Sequence, residues 1–270
     1  MKLLVTGGAG FIGSHLLAHL DAQKEHETVV LDNLSTGSAK HVPQGMKLCV
    51  GDICDLGTVD KLFAAEKFNA VIHFAAQTMV PYSLQHPQDD CNTNLIGLLN
   101  ILESCRKYGV KTVVFSSSAA VYGDSPNIPL TEDLPLVPTS CYGITKMTSE
   151  HYLRMYHDLY GINSIVLRDF VSAGDIAQAA AKALNLQGFN VINISTGRET
   201  SLNELLGAFK SACGHDLTVN YAPAREGDIF RSVLSNDKLK SLLGFVPQMD
   251  IEHGIPKTYN DYLTRRKEGN

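Results

Sequence analysis

A tyrosine and a lysine four positions apart, in the segment "SCYGITK", are well suited to acid–base chemistry. Tyr142 and Lys146 would lie on one face of a helix, one turn apart. An ammonium group beside a phenol favours the phenolate and lowers its pKa from about 10 toward the range in which it acts as a base. Upstream, "VVFSSSAAVYG" ends a predicted strand with three serines that can hydrogen-bond a substrate beside the phenol. The pattern predicts proton transfer, although this spacing alone also occurs by chance on helix surfaces.

A glycine-rich turn near the N-terminus predicts a phosphate site. In "LLVTGGAGFIGSHLL", Gly7, Gly10 and Gly13 follow the first predicted strand and lead into a helix, with Phe11 and Ile12 between the last two. Glycines there allow a tight turn, close approach of a pyrophosphate and close packing of the helix on the sheet. The helix N-terminus adds free N–H donors and the positive end of the helix dipole. All five residues are predicted to line a dinucleotide.

Acidic residues after the second and third predicted strands indicate which dinucleotide binds. Asp32 ends the second strand in "VVLDN", nineteen residues beyond Gly13, where a carboxylate can bind a ribose hydroxyl. This carboxylate would repel the extra phosphate of NADP, and no arginine stands beside it, so NAD is the predicted cofactor; Asn33 is assigned to the same site. In "VGDICD", Asp52 and Ile53 are placed for the adenine, although Asp52 also suits a plain turn or a helix cap.

Short apolar runs alternate with amphipathic segments over the first two-thirds of the chain, and this rhythm is typical of a parallel sheet covered by helices on both faces. The predicted strands are Lys2–Thr6, Thr28–Asp32, Met46–Val50, Ala70–Phe74, Thr112–Ser116 and Ser164–Leu167. The predicted helices are Phe11–Asp21, Thr58–Glu66, Asn94–Tyr108 and Tyr142–Tyr160. The fold class is therefore α/β, a Rossmann-type doubly wound parallel sheet, in which strand ends and helix starts position the chemistry.

The pattern becomes shorter and more mixed after residue 168. A helix over Asp175–Asn185, a strand over Val191–Ile194 and a helix over Ser201–Ala212 are predicted there. We interpret residues 1–168 as the NAD-binding domain and residues 169–270 as a small, truncated C-terminal substrate lobe with the remaining sheet elements.

Composition excludes several other classes of protein. The chain has 270 residues, of which 44% are hydrophobic and 19% charged, and a net charge of −5 without a basic block, so nucleic acid is not an expected partner. No apolar run is long enough to span a bilayer, and "MKLLVTGG" reaches glycines too early for a signal peptide, so a cytoplasmic location is expected. The six cysteines form no C-x-x-C pair and His15 and His19 have no acidic or thiol partner, so no metal site is predicted.

Together these motifs resemble the extended short-chain dehydrogenase/reductases, most closely the UDP-glucose 4-epimerases. The resemblance implies that Ser118 and Tyr142 handle protons and that Lys146 binds the nicotinamide ribose. It also implies cofactor-lining roles for "HFAAQ", "NTNLIG" and the end of the serine strand, at Phe74, Ala75, Ala76, Asn94 and Ser116. The implied reaction oxidises the sugar at C4 with NAD, rotates the 4-keto sugar and returns the hydride to its other face.

Sister activities differ from this pattern at identifiable positions. Related dehydratases carry Asp-Glu in the serine strand and decarboxylases usually carry a glutamate there, whereas this chain has Ala119 and Ala120. Epimerisation is the simpler prediction, although Thr78 stands where some epimerases have a lysine, so a related sugar specificity or a dehydratase or decarboxylase remains an alternative. The resemblance implies a UDP-sugar as substrate, with Ser83, Ser118, Arg225 and Asp228 as its contacts; Arg225 also suits a solvated surface charge.

The segment "SIVLRDFVSAGDIAQ" joins two family motifs that are normally separated by several tens of residues. The resemblance places substrate-binding parts between Arg168 and Asp169: an asparagine, a helix facing the pyrophosphate and a hairpin around uracil. Two explanations are possible. In the first, the sequence omits a mobile substrate lid, and the Cα atoms of Arg168 and Asp169 lie much farther apart than the 3.8 Å of a trans peptide. In the second, the deletion is real and the protein is an NAD-binding module with little or no turnover. The replacement of the usual Tyr-Val-Asp by Ser172–Gly174 is explained by neither.

A homodimer is the other partner that the resemblance implies. The helices Asn94–Tyr108 and Tyr142–Tyr160 resemble a pair that forms a four-helix interface in this family. The apolar residues expected there are Leu95, Leu98, Leu99, Leu102, Tyr152 and Met155, although the same side chains also suit packing against the sheet.

Overall fold

The computed structural model describes residues 1–169, 171–215, 217–223, 228–247 and 249–268, with side chains described up to residue 264. Seven parallel strands form one sheet in the order β3-β2-β1-β4-β5-β6-β7. The strands are β1 (Lys2–Thr6), β2 (Glu27–Asp32), β3 (Lys47–Val50), β4 (Ala70–His73), β5 (Thr112–Ser116), β6 (Asn163–Asp169) and β7 (Phe189–Ile194). The predicted doubly wound fold is confirmed, and its strand order reverses between β1 and β4.

Helices cover both faces of the sheet. They are α1 (Phe11–Gln23), α2 (Leu56–Glu66), α3 (Val80–Gln85), α4 (Pro87–Cys91), α5 (Gly97–Tyr108), α6 (Cys141–Tyr160), α7 (Ala173–Ala183), α8 (Leu202–Cys213), α9 (Asp237–Leu243) and α10 (Ile251–Glu268). A π-helical turn over Asn92–Ile96 joins α4 to α5, and a 3₁₀ turn over Ala119–Tyr122 follows the serine strand. The predicted helix from Asn94 therefore begins inside a longer helical stretch.

Two apolar layers lie on the two faces of the sheet. Leu16 and Leu20 of α1 pack with Ala180 of α7 on one face. On the other face, α2, α5 and α6 cover the strands, and Leu98 and Leu102 of α5 are fully buried in that core. These two leucines were expected at a dimer interface, but they face the sheet because their helix buries its apolar stripe there. Leu95, Leu99 and Tyr152 are half-buried, and Met155 is exposed.

The chain crosses the 168/169 junction within a single strand. Arg168 and Asp169 are consecutive residues of β6 and pair with Asn193 and Ile194 of β7. After β6, the Ser172 side chain caps the start of α7 by accepting a hydrogen bond from the Asp175 N–H at 3.2 Å. Arg168 and Asp169 therefore both belong to β6, and the choice between an omitted lid and a real deletion stays a prediction.

A buried ion pair fixes the position of β6. The guanidinium of Arg168 donates two hydrogen bonds to the Glu150 carboxylate on α6, at 2.6 and 2.9 Å, and a third to the Tyr122 hydroxyl at 2.7 Å. Tyr122 donates to Asn193 of β7 at 2.8 Å, and Ser117 donates to Glu150 at 2.5 Å. Because each polar group has a partner, the network joins β5, α6, β6 and β7 without leaving a buried charge alone.

The C-terminal part of the chain divides between the main sheet and a peripheral pair of helices. β7 and α7 belong to the main sheet and its core, and the predicted boundary at 168/169 falls inside β6. Helix α8 lies against α10, where Phe209 and Tyr259 pack edge to face with ring centroids 5.5 Å apart. Within the described ranges, no helix combines the length and the apolar character that crossing a bilayer requires.

Candidate functional site

A cavity of about 460 Å³ opens at the carboxyl ends of the strands, where the strand order reverses. Open α/β sheets bind their ligands at this place. The cavity is lined by Gly7, Gly10, Phe11, Ile12, Gly13, Leu31, Asp32, Asn33, Ser35, Thr36, Gly51, Asp52, Ile53, Phe74, Ala75, Ala76, Thr78, Thr93, Ser116, Ser117, Tyr142, Lys146 and Asp169. The structure thus brings every residue predicted to line the cofactor, except Asn94, into the wall of one cavity.

The glycine turn leaves no space for side chains. Gly7 adopts φ of +70°, and a Cβ atom there would lie 2.6 Å from the backbone nitrogen of Ala75. A Cβ on Gly13 would lie 2.2 Å from the carbonyl oxygen of Gly7. Helix α1 begins immediately after Gly10, which has no side chain to cap the helix. The first N–H groups of α1 therefore have no side-chain acceptor at the end of the helix that borders the cavity. These features fit a phosphate group lying close to the backbone.

Asp32 and Asp52, the two acidic residues predicted for the cofactor site, are each held by hydrogen bonds. Asp32 is buried and accepts hydrogen bonds from the Ala9 N–H at 2.9 Å and the Leu34 N–H at 2.8 Å. Asn33 donates to Asp52 at 2.9 Å, and Asp52 also accepts from the Cys54 N–H at 2.8 Å. Asp52 therefore stabilises the turn in which it lies, which is the alternative role that the sequence suggested for it. It also lies in the cavity wall.

Lys146 is held at the opposite end of the cavity from Asp32. Its ammonium donates a hydrogen bond to the carbonyl oxygen of Ser116 at 2.8 Å and lies 4.8 Å from the Phe115 ring centroid and 5.7 Å from that of Tyr142. Burial lowers the pKa of Lys146 to about 8, although the nearby carboxylates, first Asp169, oppose the shift. The side chain therefore carries its charge at neutral pH and loses it as the pH rises through about 8.

The Tyr142 phenol behaves differently from the sequence-based expectation. Burial raises its pKa, the charge of Asp169 raises it further, and a hydrogen bond with Ser118 lowers it. The expectation that Lys146 lowers the pKa of Tyr142 was wrong for the protein without a ligand. Loss of water around the phenolate outweighs the attraction of the Lys146 ammonium, which also donates a hydrogen bond to the Ser116 carbonyl oxygen. A cationic ligand at this end of the cavity would shift the phenol back toward its ionised form.

Asn94 and Ser83 support the catalytic end from outside the cavity wall. Asn94 donates to Asp90 at 3.1 Å and to Thr145 at 3.2 Å, and its side-chain oxygen accepts from the Gln77 N–H at 2.9 Å. Ser83 is fully buried, and its hydroxyl accepts a hydrogen bond from the Tyr142 N–H at 3.1 Å. Both residues position the segment that carries Tyr142. The sequence assigned Asn94 to the cofactor and Ser83 to the substrate, but neither residue lies in the cavity wall.

The remaining predicted substrate contacts are scattered. Ser118 caps the 3₁₀ turn and is hydrogen-bonded to Tyr142. Asp228 is exposed on the C-terminal part of the chain. Arg225 lies outside the described residues. Among the residues that the structure describes, no group of three or more His, Cys, Asp and Glu side chains is arranged to hold a metal ion.

Asp169 is the residue that sequence reasoning missed. It ends β6, is partly buried and lines the cavity together with Tyr142 and Lys146. Burial raises its pKa to about 6, because the attraction of Lys146 only partly offsets the loss of water. Its place was readable in principle, since residues that end central parallel strands point to the ligand edge. Other wall residues were also missed, namely Leu31, Ser35, Thr36, Gly51 and Thr93, whereas Ser117 and Thr78 had been noted in the serine run and at the position compared with a lysine.

We expect Asp169→Asn to stabilise the fold at pH 7.5 by about 1–2 kcal/mol, allowing for partial exposure of the side chain. The folded-state pKa of Asp169 is raised above its ordinary value of 3.8, so the folded protein binds the proton more tightly than the unfolded chain. Stability from this group is full below about pH 4 and is lost as the pH rises through about 6. Urea unfolding at pH 4.5 and 7.5 gives the free energy of unfolding of Asp169→Asn and of the unmodified protein. A difference between the two proteins that is equal at both pH values contradicts the prediction.

The fold and the site define a dinucleotide-binding protein with a tyrosine–lysine pair at one end of the cavity. The chain matches the NAD dependent epimerase/dehydratase family over residues 3–176. A putative UDP-glucose 4-epimerase of Methanocaldococcus jannaschii is 35% identical over 300 positions, covering 96% of this chain and 97% of the relative. This chain belongs to the NAD dependent epimerase/dehydratase family, which confirms the predicted resemblance.

Solved structures show the same fold. The UDP-glucose 4-epimerase of Thermus thermophilus, in complex with NAD, superposes with a TM-score of 0.91 at 35% identity, covering 95% of this chain and 97% of that one. The Thermotoga maritima UDP-glucose 4-epimerase with UDP-glucose gives a TM-score of 0.92 at 31% identity, covering 97% and 100%. Likeness at this level extends through the C-terminal part of the chain.

The chain is nevertheless shorter than its relatives inside the matched region. The alignment with the Methanocaldococcus protein spans 300 positions but includes 96% of 270 residues, which is about 259, so about 41 positions have no residue here. That these positions lie between Arg168 and Asp169 stays a prediction.

Proposed function

We propose that this protein is an NAD-dependent nucleotide-sugar 4-epimerase and that it interconverts UDP-glucose and UDP-galactose. The observation that supports the proposal most directly is the cavity itself, because its wall runs from the glycine turn and Asp32 to Tyr142 and Lys146. A cavity of this composition would allow a redox dinucleotide and a proton-transferring phenol to lie side by side. The UDP-sugars bound or named in the similar proteins support the choice of substrate.

The residues of the cavity fit NAD. The turn at Gly7 and Gly13 excludes side chains, so a pyrophosphate can approach the backbone, and the start of α1 supplies N–H donors. Asp32 offers carboxylate oxygens for a ribose. When bound, NAD would supply a hydride acceptor that becomes a hydride donor, together with a positive charge at the nicotinamide.

Three side chains then carry the proton chemistry. Tyr142 takes the proton from the sugar 4-hydroxyl during oxidation and returns it during reduction. Ser118 is hydrogen-bonded to the Tyr142 hydroxyl and stabilises its ionised form. Lys146, held by the Ser116 carbonyl, is placed to orient the ribose and to keep positive charge near the phenol. Because the hydride and the proton are returned within the same cycle, the cofactor is unchanged after each turnover.

The shortened substrate region favours a second function, an NAD-binding module with little or no turnover. Strand β6 ends at Asp169 and α7 begins at Ala173, and about 41 positions of the alignment with the Methanocaldococcus protein have no residue here. The two functions are separated by incubating the protein with NAD and UDP-galactose and measuring UDP-glucose by chromatography. Conversion supports the epimerase. NAD binding without conversion of UDP-galactose, UDP-N-acetylgalactosamine or a UDP-uronic acid supports the module.

We also propose that the protein is a homodimer through the outer faces of α5 and α6. After Leu98 and Leu102 are assigned to the core, exposed apolar side chains remain at Ile96, which directly precedes α5, and at Met155 and Leu159 of α6. A surface of this kind is typical of subunit contacts. We expect light scattering at micromolar concentration to give twice the monomer mass, and Met155→Glu to lower it. A monomer for the unmodified protein at that concentration would rule out this interface.

A further inference from the structure

Asp169 places a carboxyl group at the catalytic end of the cavity. It is the last residue of β6, and it shares the wall with Ser116, Ser117, Tyr142 and Lys146. The glycine turn and Asp32 line the other parts of the same cavity. If NAD binds as proposed, with its pyrophosphate at the glycine turn and a ribose at Asp32, its nicotinamide lies toward Asp169.

The neighbouring charges leave the Asp169 carboxylate incompletely compensated. Lys146 attracts it, but the ammonium also donates to the Ser116 carbonyl oxygen. Glu150 and Arg168 form an ion pair with each other, and Asp175 accepts a hydrogen bond from the Ser172 hydroxyl at 2.8 Å. The titratable and charged groups that interact with Asp169, or with its neighbours Tyr142 and Lys146, are Tyr142, Lys146 and Glu150 on α6, Asp90 on α4 and His73 on β4; Arg168 on β6 and Asp175 on α7 lie next to it along the chain. Since the pKa of Asp169 remains above its ordinary value, the local environment favours an additional positive charge.

We propose that Asp169 selects the oxidised form of the cofactor. Its carboxylate attracts the cationic nicotinamide ring of NAD⁺, whereas NADH carries a neutral ring and gains nothing from the same charge. The two forms share every other part of the dinucleotide, so only groups near the nicotinamide can distinguish them. This inference depends on the proposed NAD site. Its consequence is that transfer of the hydride from the reduced cofactor back to the 4-keto sugar is favoured, which leaves the oxidised cofactor that an epimerase needs at the start of each cycle.

Calorimetric titration with NAD⁺ and NADH at pH 8 tests the selection. We expect the unmodified protein to bind NAD⁺ more tightly than NADH. Asp169→Asn keeps the size of the side chain and removes its charge, and we expect it to lower the ratio Kd(NADH)/Kd(NAD⁺) by at least about tenfold, which corresponds to about 1.4 kcal/mol. Asp52→Asn is the matched control: it lies beside Asn33, toward the other end of the cavity, so it should weaken both forms equally and leave the ratio unchanged.

The pH dependence of the ratio gives a second measurement. Burial raises the pKa of Asp169 to about 6, so the carboxylate is present at pH 8 and largely protonated at pH 5. The ratio should fall between these pH values in the unmodified protein and stay nearly constant in Asp169→Asn. An unchanged ratio in Asp169→Asn, with both cofactors still bound, overturns the role of Asp169 alone. Absence of binding of either cofactor overturns the NAD site and this inference together.

Discussion

Replacing Tyr142 by phenylalanine is expected to lower epimerisation of UDP-galactose by about 100- to 10,000-fold, the range for loss of a positioned acid–base group. Phenylalanine keeps the ring that Lys146 approaches at 5.7 Å and removes only the hydroxyl, so the cavity should keep its shape. NAD affinity should change by less than about threefold, because no phosphate or ribose contact is assigned to the phenol. The measurement is kcat by chromatography of the two UDP-sugars, with NAD affinity from calorimetry.

The control for this change is Tyr160→Phe at the other end of the same helix. Tyr160 is exposed and contacts Tyr156 and Arg106, far from the cavity in sequence and absent from its wall. We expect this variant to keep the rate of the unmodified enzyme. A Tyr142→Phe variant that turns over at an undiminished rate would show that another group accepts the proton.

Replacing Arg168 by leucine is expected to destabilise the fold by about 3–5 kcal/mol. The side chains of Arg168 and Glu150 are 3% and 5% exposed, so removing the guanidinium leaves a buried carboxylate whose remaining partner, among the residues that the structure describes, is the Ser117 hydroxyl. The Tyr122 hydroxyl loses a donor at the same time. Urea unfolding at pH 7.5 measures the loss, and because water is excluded, added salt should change it little.

An exposed ion pair on α6 supplies the matched control. Arg154 bonds to Asp158 at 3.2 Å with both side chains more than half exposed, so Arg154→Leu should cost less than about 1 kcal/mol. Combining Arg168→Leu with Glu150→Leu should recover part of the lost stability, because no unpaired charge then remains. Equal losses for Arg168→Leu and Arg154→Leu would mean that the network does not anchor β6.

The network also shows to which element Arg168 belongs. Arg168 was ambiguous in the sequence, since it suits either of the two motifs that meet there. In the structure it belongs to β6, where it binds Glu150 and Tyr122 before the chain enters α7. If the positions absent here lie beyond this point, the network holds β6 in place without them. Substrate binding, rather than folding, is where the shortening should have its effect.

Prediction from sequence worked where a short pattern has one structural solution. Gly7 and Gly13 must be glycine because the backbone leaves no room for a Cβ atom, so the tight turn could be predicted from spacing alone. The strands were found because buried parallel strands are continuous apolar runs. Leu98 and Leu102 were misplaced because an apolar helical stripe looks the same whether it faces a sheet or another subunit.

The sequence by itself determined the doubly wound fold, the dinucleotide turn and the tyrosine–lysine pair, because each depends on local spacing and on residue types with one conformational role. Only the tertiary structure decided that Asp169 joins the cavity wall, that Arg168 pairs with Glu150 and that burial raises the pKa of Tyr142. These outcomes depend on which distant charges share a region from which water is excluded. No local pattern records that, because the strength of a charge interaction is set by the surroundings of both groups.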